Sequence, residues 1–281
     1  MPHDPYKALY LHLPFCVKRC AYCDFATAAV PAGAPEIEAY VEDLSLQIRR
    51  KAKEGELGAV ETVYLGGGTP SHVGLAGLSM LLYTLSLSMH LTDEVECTME
   101  ANPESLTERM VRDIWALGVN RLSIGVQSFD DDVLRTLGRA HSSDDARRAI
   151  EAARTRFENV SVDLMCGIPG QSAEGFEASV REAVRLGATH VSVYPLTIEP
   201  HTPFDAAVLA GELEEPDDDV EAAHMQIAAR VLDSEGFERY EVASYARPAC
   251  MPPQHRVLDG RALPGSGPFG CHDDAERAAS H

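Results

Sequence analysis

Apolar positions in the first 245 residues fall into two alternating kinds of segment. Short runs rich in Val, Ile, Leu and aromatic residues occupy 8–13, 62–65, 95–100, 121–126, 160–165 and 190–196. Between them, near 36–53, 74–89, 105–117, 142–156 and 172–186, apolar side chains recur at helical spacing. The first pattern predicts strands and the second helices. Ser105 with Glu108 reads as a capping box, and Ser172 with Gly175 as a second helix start. The strand runs are continuous rather than alternating, which predicts a parallel sheet covered on its outer side. Six strand–helix units in succession fit an α/β fold of the (βα) barrel type better than two separate domains. An acidic stretch, 212–219, leads into a further helical pattern near 220–235, and a last strand is expected at 240–244.

Composition narrows the picture. An apolar fraction of 45% with 24% charged residues is that of a globular chain of 281 residues, large enough for a sizeable core. The formal charge of −20 argues against a nucleic-acid-binding face. No apolar run approaches the roughly 18–20 residues a membrane span needs, and the first residues lack a secretory signal's pattern. These features predict a cytoplasmic protein with no membrane span, with peripheral membrane contact left open. Seven cysteines, an odd number, make a disulfide framework a poor reading. Three of them, Cys16, Cys20 and Cys23, sit within eight residues.

In a barrel of this kind, the chemistry gathers where the strands end. The predicted strands end on His12-Leu-Pro-Phe-Cys16, Gly66-Gly-Gly-Thr-Pro70, Glu100-Ala-Asn-Pro103, Gln127-Ser-Phe129, Gly167-Ile-Pro-Gly170 and Tyr194-Pro-Leu-Thr197, with Asp163 inside the fifth. The spacing Cys16-x3-Cys20-x2-Cys23 offers three soft thiolates on one loop, suited to iron–sulfur or to zinc with His12 as a fourth ligand. The glycine run permits close backbone approach, with N–H groups able to meet a carboxylate or phosphate, or it is simply a tight turn. Glu100 and Asp163 suit ammonium or hydroxyl partners, and Arg139 suits a carboxylate. Each alone is more often a solvated or structural charge, and together on one rim they gain weight. Cys97 and Cys166 read as small core hydrophobes, and His90, His141, His190 and His224 as structural.

Taken together, Tyr10-Leu-His-Leu-Pro-Phe-Cys16-x3-Cys20-x-Tyr22-Cys23-Asp-Phe25 resembles the signature of radical S-adenosylmethionine (SAM) proteins, in the coproporphyrinogen dehydrogenase-like branch. The glycine run, Glu100-Ala-Asn-Pro103, Ser123-Ile-Gly-Val-Gln-Ser-Phe129, Gly138-Arg-Ala-His141 and Asp163-Leu-Met-Cys-Gly-Ile-Pro-Gly170 match that branch in order, over about residues 6–248. The resemblance displaces zinc. It implies a partial (βα)6 TIM-like radical SAM barrel over 1–248, with a [4Fe-4S] cluster on Cys16, Cys20 and Cys23 and SAM on its open iron. Tyr10 and Tyr22 would line cluster and SAM, while Gly67, Gly68 and Thr69 would face the SAM amino-acid end. Glu100, Gln127, Arg139, Asp163 and Thr197 would contact its charged and ribose groups. In the family the reduced cluster splits SAM to a 5′-deoxyadenosyl radical.

The branch's dehydrogenases carry a further cysteine two positions after the third, where this chain has Phe25. The Cys-Asp-Phe ending and Tyr194-Pro-Leu-Thr-Ile-Glu-Pro200 are instead similar to a subgroup of heme chaperones, implying heme as ligand and a heme-acceptor protein as partner. Two other readings stand beside it: a coproporphyrinogen III dehydrogenase and an inactive truncated remnant. The segment 249–281 matches neither the family nor any periodic pattern, and reads as an aberrant, disordered tail. Its codons carry a further signal. Met251 is ATG and proline codons begin with C, so a frame moved by one base must read TGC, cysteine. Across Gln254 and His255 the moved frame gives Asn or Ser, and across Asp259 and Gly260 Thr or Met. With permitted codons, the stretch from Cys250 to Asp274 becomes ACRHNTAYWTGAPYLGLGPSAATTM, which restores the HNxxYW and LGLGP elements of the heme chaperones. A single-base shift near 249–251 accounts for the tail; a natural terminus is the alternative.

Overall fold

The computed structural model describes residues 5–248; the tail and its frame shift lie outside the described residues. Six parallel strands run in sequence order across one sheet: β1 (Tyr6–Leu13), β2 (Leu57–Gly67), β3 (Leu91–Ala101), β4 (Arg121–Gln127), β5 (Asn159–Cys166) and β6 (His190–Pro195). Two short antiparallel strands extend it beyond β6: β8 (Ser244–Ala246) pairs with β6, and β7 (Glu238–Arg239) pairs with β8. Among the described residues, β1 and β7 are the two edges of the sheet, and the barrel is partial as expected.

The helices follow their strands. They are α1 (Pro35–Lys53), α2 (Gly74–Ser88), α3 (Glu108–Ala116), α4 (Asp131–Thr136), α5 (Ser143–Arg154), α6 (Ala173–Arg185), α7 (Pro203–Leu209) and α8 (Asp218–Ser234). Their apolar faces meet the outward side chains of the strands. Leu9, Leu11 and Leu13 of β1, Val63 and Leu65 of β2, Cys97 and Met99 of β3, and Leu122, Ile124 and Val126 of β4 all join one buried core. Cys97 and Cys166 are core residues, as read from the sequence, with both thiols pushed up to about 12 by burial. No helix among the described residues is long and apolar enough to cross a membrane.

Two local expectations are corrected. The cap of α3 is Thr107, whose hydroxyl accepts from the Met110 N–H at 3.2 Å. Ser105 instead closes a 3-10 turn over Pro103–Ser105 and donates to the Asn102 carbonyl, because Pro103 starts that turn first. The capping box belongs to Ser142 and Asp145 at α5, while Ser172 does cap α6. The last strand lies at Ser244–Ala246 rather than 240–244: the Tyr240 ring turns toward His190, and residues 241–243 form a bend before the chain rejoins β6. Helices α4 and α7, of six and seven residues, are too short to leave a helical period in the sequence.

Candidate metal and ligand site

The cysteine loop is held at both ends. Residues Phe15–Cys16 pair in parallel with Ala28–Ala29, with the Ala28 N–H on the Pro14 carbonyl at 2.7 Å and the Val30 N–H on the Cys16 carbonyl at 3.1 Å. Between these ties the Ala21 N–H donates to the Leu137 carbonyl at 3.2 Å, and the Ala21 carbonyl accepts from Phe204 at 3.0 Å. The ends of α4 and the start of α7 thus fix the middle of the loop. Cys16, Cys20 and Cys23 consequently line one cavity of about 490 Å³ at the C-terminal ends of the strands.

The donor set itself indicates what it can hold. Burial pushes the thiols of Cys16 and Cys23 up, and the neighbouring cysteines push in the same direction. Three thiolates gathered this way need a cation among them. Sulfurs sharing one zinc lie within about 4 Å of each other, since each Zn–S bond is about 2.3 Å. An iron–sulfur cluster places each thiolate on a different iron and tolerates wider spacing. His12 is occupied: Nδ1 lies 3.1 Å from the Tyr10 hydroxyl and Nε2 3.1 Å from the Ala26 carbonyl. With both ring nitrogens of His12 engaged, the zinc reading lacks its fourth ligand, and three thiolates on one loop fit a cluster.

The glycine run forms the wall beside the loop. Gly67 has φ +117, and a Cβ there would stand 2.6 Å from His12 Nδ1, so no other residue fits without displacing that ring. Its N–H donates to Glu100 Oε2 at 3.1 Å, while the Gly68 and Thr69 N–H groups donate to the Leu13 and Phe15 carbonyls at 2.9 and 2.8 Å. The Gly67 N–H thus meets a carboxylate, that of Glu100, while those of Gly68 and Thr69 close the turn onto the Leu13 and Phe15 carbonyls. Gly67, Gly68 and Thr69 still line the cavity.

On the opposite wall, the register of β4 against β5 shifts between Gly125 and Gln127, and Gln127 adopts φ +67. A non-glycine residue in this left-handed region is strained, and here the irregularity ends the pairing and aims the side chain at the cavity. Arg139 reaches in from beyond α4 and donates to Cys20 Sγ at 3.4 Å, Asn102 Oδ1 at 2.8 Å and the Gly125 carbonyl at 2.6 Å. Glu100 accepts from the Tyr64 hydroxyl at 2.8 Å, and Asp163 from the Ser123 hydroxyl at 3.1 and 3.3 Å. Burial pushes the Glu100 carboxyl up to about 7, aided by Asp163 and opposed by its two hydrogen bonds. Burial likewise raises Asp163, against the hydroxyls of Ser192 and Ser123 and the positive charge of Arg121 and Arg139. Two carboxyls held this way are poised to accept a cationic or hydroxyl-bearing ligand, which would favour their ionised forms.

Of the thirteen residues singled out from the sequence, twelve line this cavity, including Tyr22 and Thr197. Tyr10 does not. Its ring stacks on Tyr64 at 5.9 Å beneath Gly66, so it supports the wall. Asn102, Tyr64, Ser123 and Ser192 also belong to the site; Asn102 and Ser123 fall inside the quoted motifs without having been singled out, and Tyr64 and Ser192 owe their place to the strand register. His190, read as structural, lies on the cavity floor between the Ser161 hydroxyl and the Tyr240 hydroxyl, each at 2.7 Å. His141 and His224 are structural, bonded to the Val126 carbonyl and the Gly167 N–H.

Residues 10–183 match the family model of the radical SAM superfamily. The chain is 38% identical over 278 residues to the heme chaperone HemW of Mycobacterium tuberculosis, covering 97% of this chain and 70% of that protein. It is 36% identical over 247 residues to HemW of Escherichia coli, covering 87% of this chain and 64% of the relative. Among solved structures, the radical SAM coproporphyrinogen III oxidase HemN from Escherichia coli superimposes with a TM-score of 0.77 at 25% identity, over 88% of this chain and 57% of HemN. With the cysteine loop at the mouth of an open six-stranded barrel and these likenesses running through it, the chain belongs to the radical SAM superfamily, in the family of the heme chaperone HemW.

Proposed function

We propose that this chain takes up heme and passes it to an acceptor protein in the cytoplasm, using a barrel that carries a SAM-bound [4Fe-4S] cluster. The observation that carries the reading is the 38% identity to a heme chaperone sustained over 97% of this chain. The cavity supports the cofactor half of it. Cys16, Cys20 and Cys23 would hold the cluster. Tyr22, Gly67, Gly68 and Thr69 would flank the SAM amino-acid end, with Gln127, Arg139, Glu100, Asp163 and Thr197 on its charged and ribose groups and Tyr10 behind them. When bound, the cluster supplies one electron to the SAM sulfonium. The protein's own part is to orient and to exclude water: Arg139 brings a fixed positive charge to the loop, and Glu100 and Asp163 present carboxyls that ionise on meeting a partner.

The likeness to HemN favours a second reading, oxidation of coproporphyrinogen III. Phe25, 64% exposed at the cavity mouth, stands where that activity's family members carry a further cysteine, and this supports the chaperone. Anaerobic reconstitution of the full chain tests both. The chaperone reading expects cluster assembly, SAM binding, saturable heme uptake by absorbance titration and transfer to an apo-hemoprotein. Formation of 5′-deoxyadenosine coupled to protoporphyrinogen would establish the second reading instead. The frame shift proposed for 249–281 is decided by reading the DNA across those codons: an extra or missing base restores HNxxYW, and an unbroken frame rejects the shift.

A further inference from the structure

We infer that Asn102 is a positioning residue that ties two of the three cluster cysteines to one cation, and so sets the reduction potential of the cluster. The inference rests on the proposal that Cys16, Cys20 and Cys23 hold that cluster. Arg139 can only donate hydrogen bonds. Facing its Nη2 at 2.8 Å, Asn102 must therefore present Oδ1, which turns Nδ2 toward Thr69 Oγ1 at 2.9 Å. Thr69 accepts that bond, so its own proton is left for the sulfur of Cys16 at 3.5 Å. The other arm of Arg139, Nη1, donates to Cys20 Sγ at 3.4 Å. The polarity of the whole chain, from Cys20 through Arg139, Asn102 and Thr69 to Cys16, is thus fixed by the one group in it that cannot accept.

The surroundings leave Asn102 little freedom to turn. A Cβ on Gly125 would stand 3.0 Å from Asn102 Oδ1, and the Gly125 carbonyl takes the same Arg139 nitrogen at 2.6 Å. Asn102 itself sits between the end of β3 and the 3-10 turn, where its backbone carbonyl accepts from Ser105. Donors aimed at cluster sulfurs stabilise the added electron and raise the potential. Removing the amide would free the Thr69 hydroxyl to rotate and the guanidinium to drift, with both sulfurs losing a donor.

The test is an EPR-monitored redox titration of the reconstituted full chain, with iron and sulfide content measured alongside. Thr69→Val is expected to move the midpoint to a more negative potential, and Thr69→Ser to hold the wild-type value. Asn102→Leu is expected to move it in the same direction at least as far, and adding Thr69→Val to Asn102→Leu to move it no further. An unshifted Asn102→Leu, or shifts that add in full, overturns the inference. Should Asn102→Leu load less iron, Asn102→Asp takes its place. A carboxylate there obliges Thr69 to donate to it, so Thr69→Val would shift the midpoint less in that background than in the wild type. An undiminished shift overturns the inference. A wild-type chain that assembles no cluster refutes the cluster reading itself, an outcome distinct from these.

Discussion

The two faces of the same six strands obey different rules. Along β4, Leu122, Ile124 and Val126 point outward and are fully buried against the helices, while Arg121, Ser123, Gly125 and Gln127 alternate with them and line the cavity. Strand β5 repeats the division, with Val160, Val162 and Leu164 outward and Ser161 and Asp163 inward. So does β6, with Val191 and Val193 against His190 and Ser192. The outer face is chosen by volume, since any apolar side chain of the right size stabilises it. The inner face is chosen by pairing, because a polar group there is tolerated only with a partner. Barrel interiors are usually filled by branched apolar side chains. Here the main apolar core lies on the outer face of the sheet, and mostly polar side chains line the inner one.

The largest expected effect falls on the outer face. Ile124→Ala should destabilise the chain by about 2–5 kcal/mol, because its cavity lies in packed core. Chemical unfolding at neutral pH measures this, and a loss below about 1 kcal/mol would dissolve the contrast between the faces. Glu100→Gln should do the reverse. A carboxyl raised from 4.5 to about 7 in the folded chain resists ionising there, while the unfolded chain ionises freely. Its contribution is neutral below the unfolded value and becomes destabilising as pH rises from about 4.5 to 7, by about 3 kcal/mol. Unfolding of the metal-free variant and parent should therefore coincide near pH 4 and diverge by pH 8, with the variant more stable. A variant less stable at pH 8 contradicts the assignment.

Gly67→Ala sits where the two faces meet. With φ +117 and His12 in the way, it should cost about 1–3 kcal/mol, and His12→Ala in the same chain should recover part of that loss. Full additivity of the two changes would show that the ring is not the obstacle. The smallest effect belongs to the surface. Thr107→Ala removes the side-chain cap of α3 and should lower stability by about 1 kcal/mol without altering ligand binding, as thermal melts and SAM titration would report.

Much of the outer layer was legible beforehand because burial against helices forces long apolar residues, and these mark β1 to β6 to within a few positions. The inner layer was less so. Ser123, Ser161 and Ser192 are individually unremarkable, and only the register that sets Ser123 opposite Ser161 and Asp163 opposite Ser192 turns them into one surface. The cysteine loop was readable since three thiols at that spacing need a common ligand. Asn102 was not, because its importance lies in having Arg139 on one side and Thr69 on the other, 37 and 33 positions away. The Ser105 cap was misassigned for a local reason: Pro103 starts a tighter turn that moves the helix start to Thr107.

The open seam between β1 and β7 has a consequence for the shape of what can enter. In a closed barrel, strand number and stagger together fix the bore. A sheet that never meets itself has no such constraint, and small changes of twist between neighbours accumulate into a wider or narrower gape at the lips. The width of the mouth is then set by the twist between neighbouring strands rather than by strand number. Calibre is here a matter of accumulated twist, not of closure.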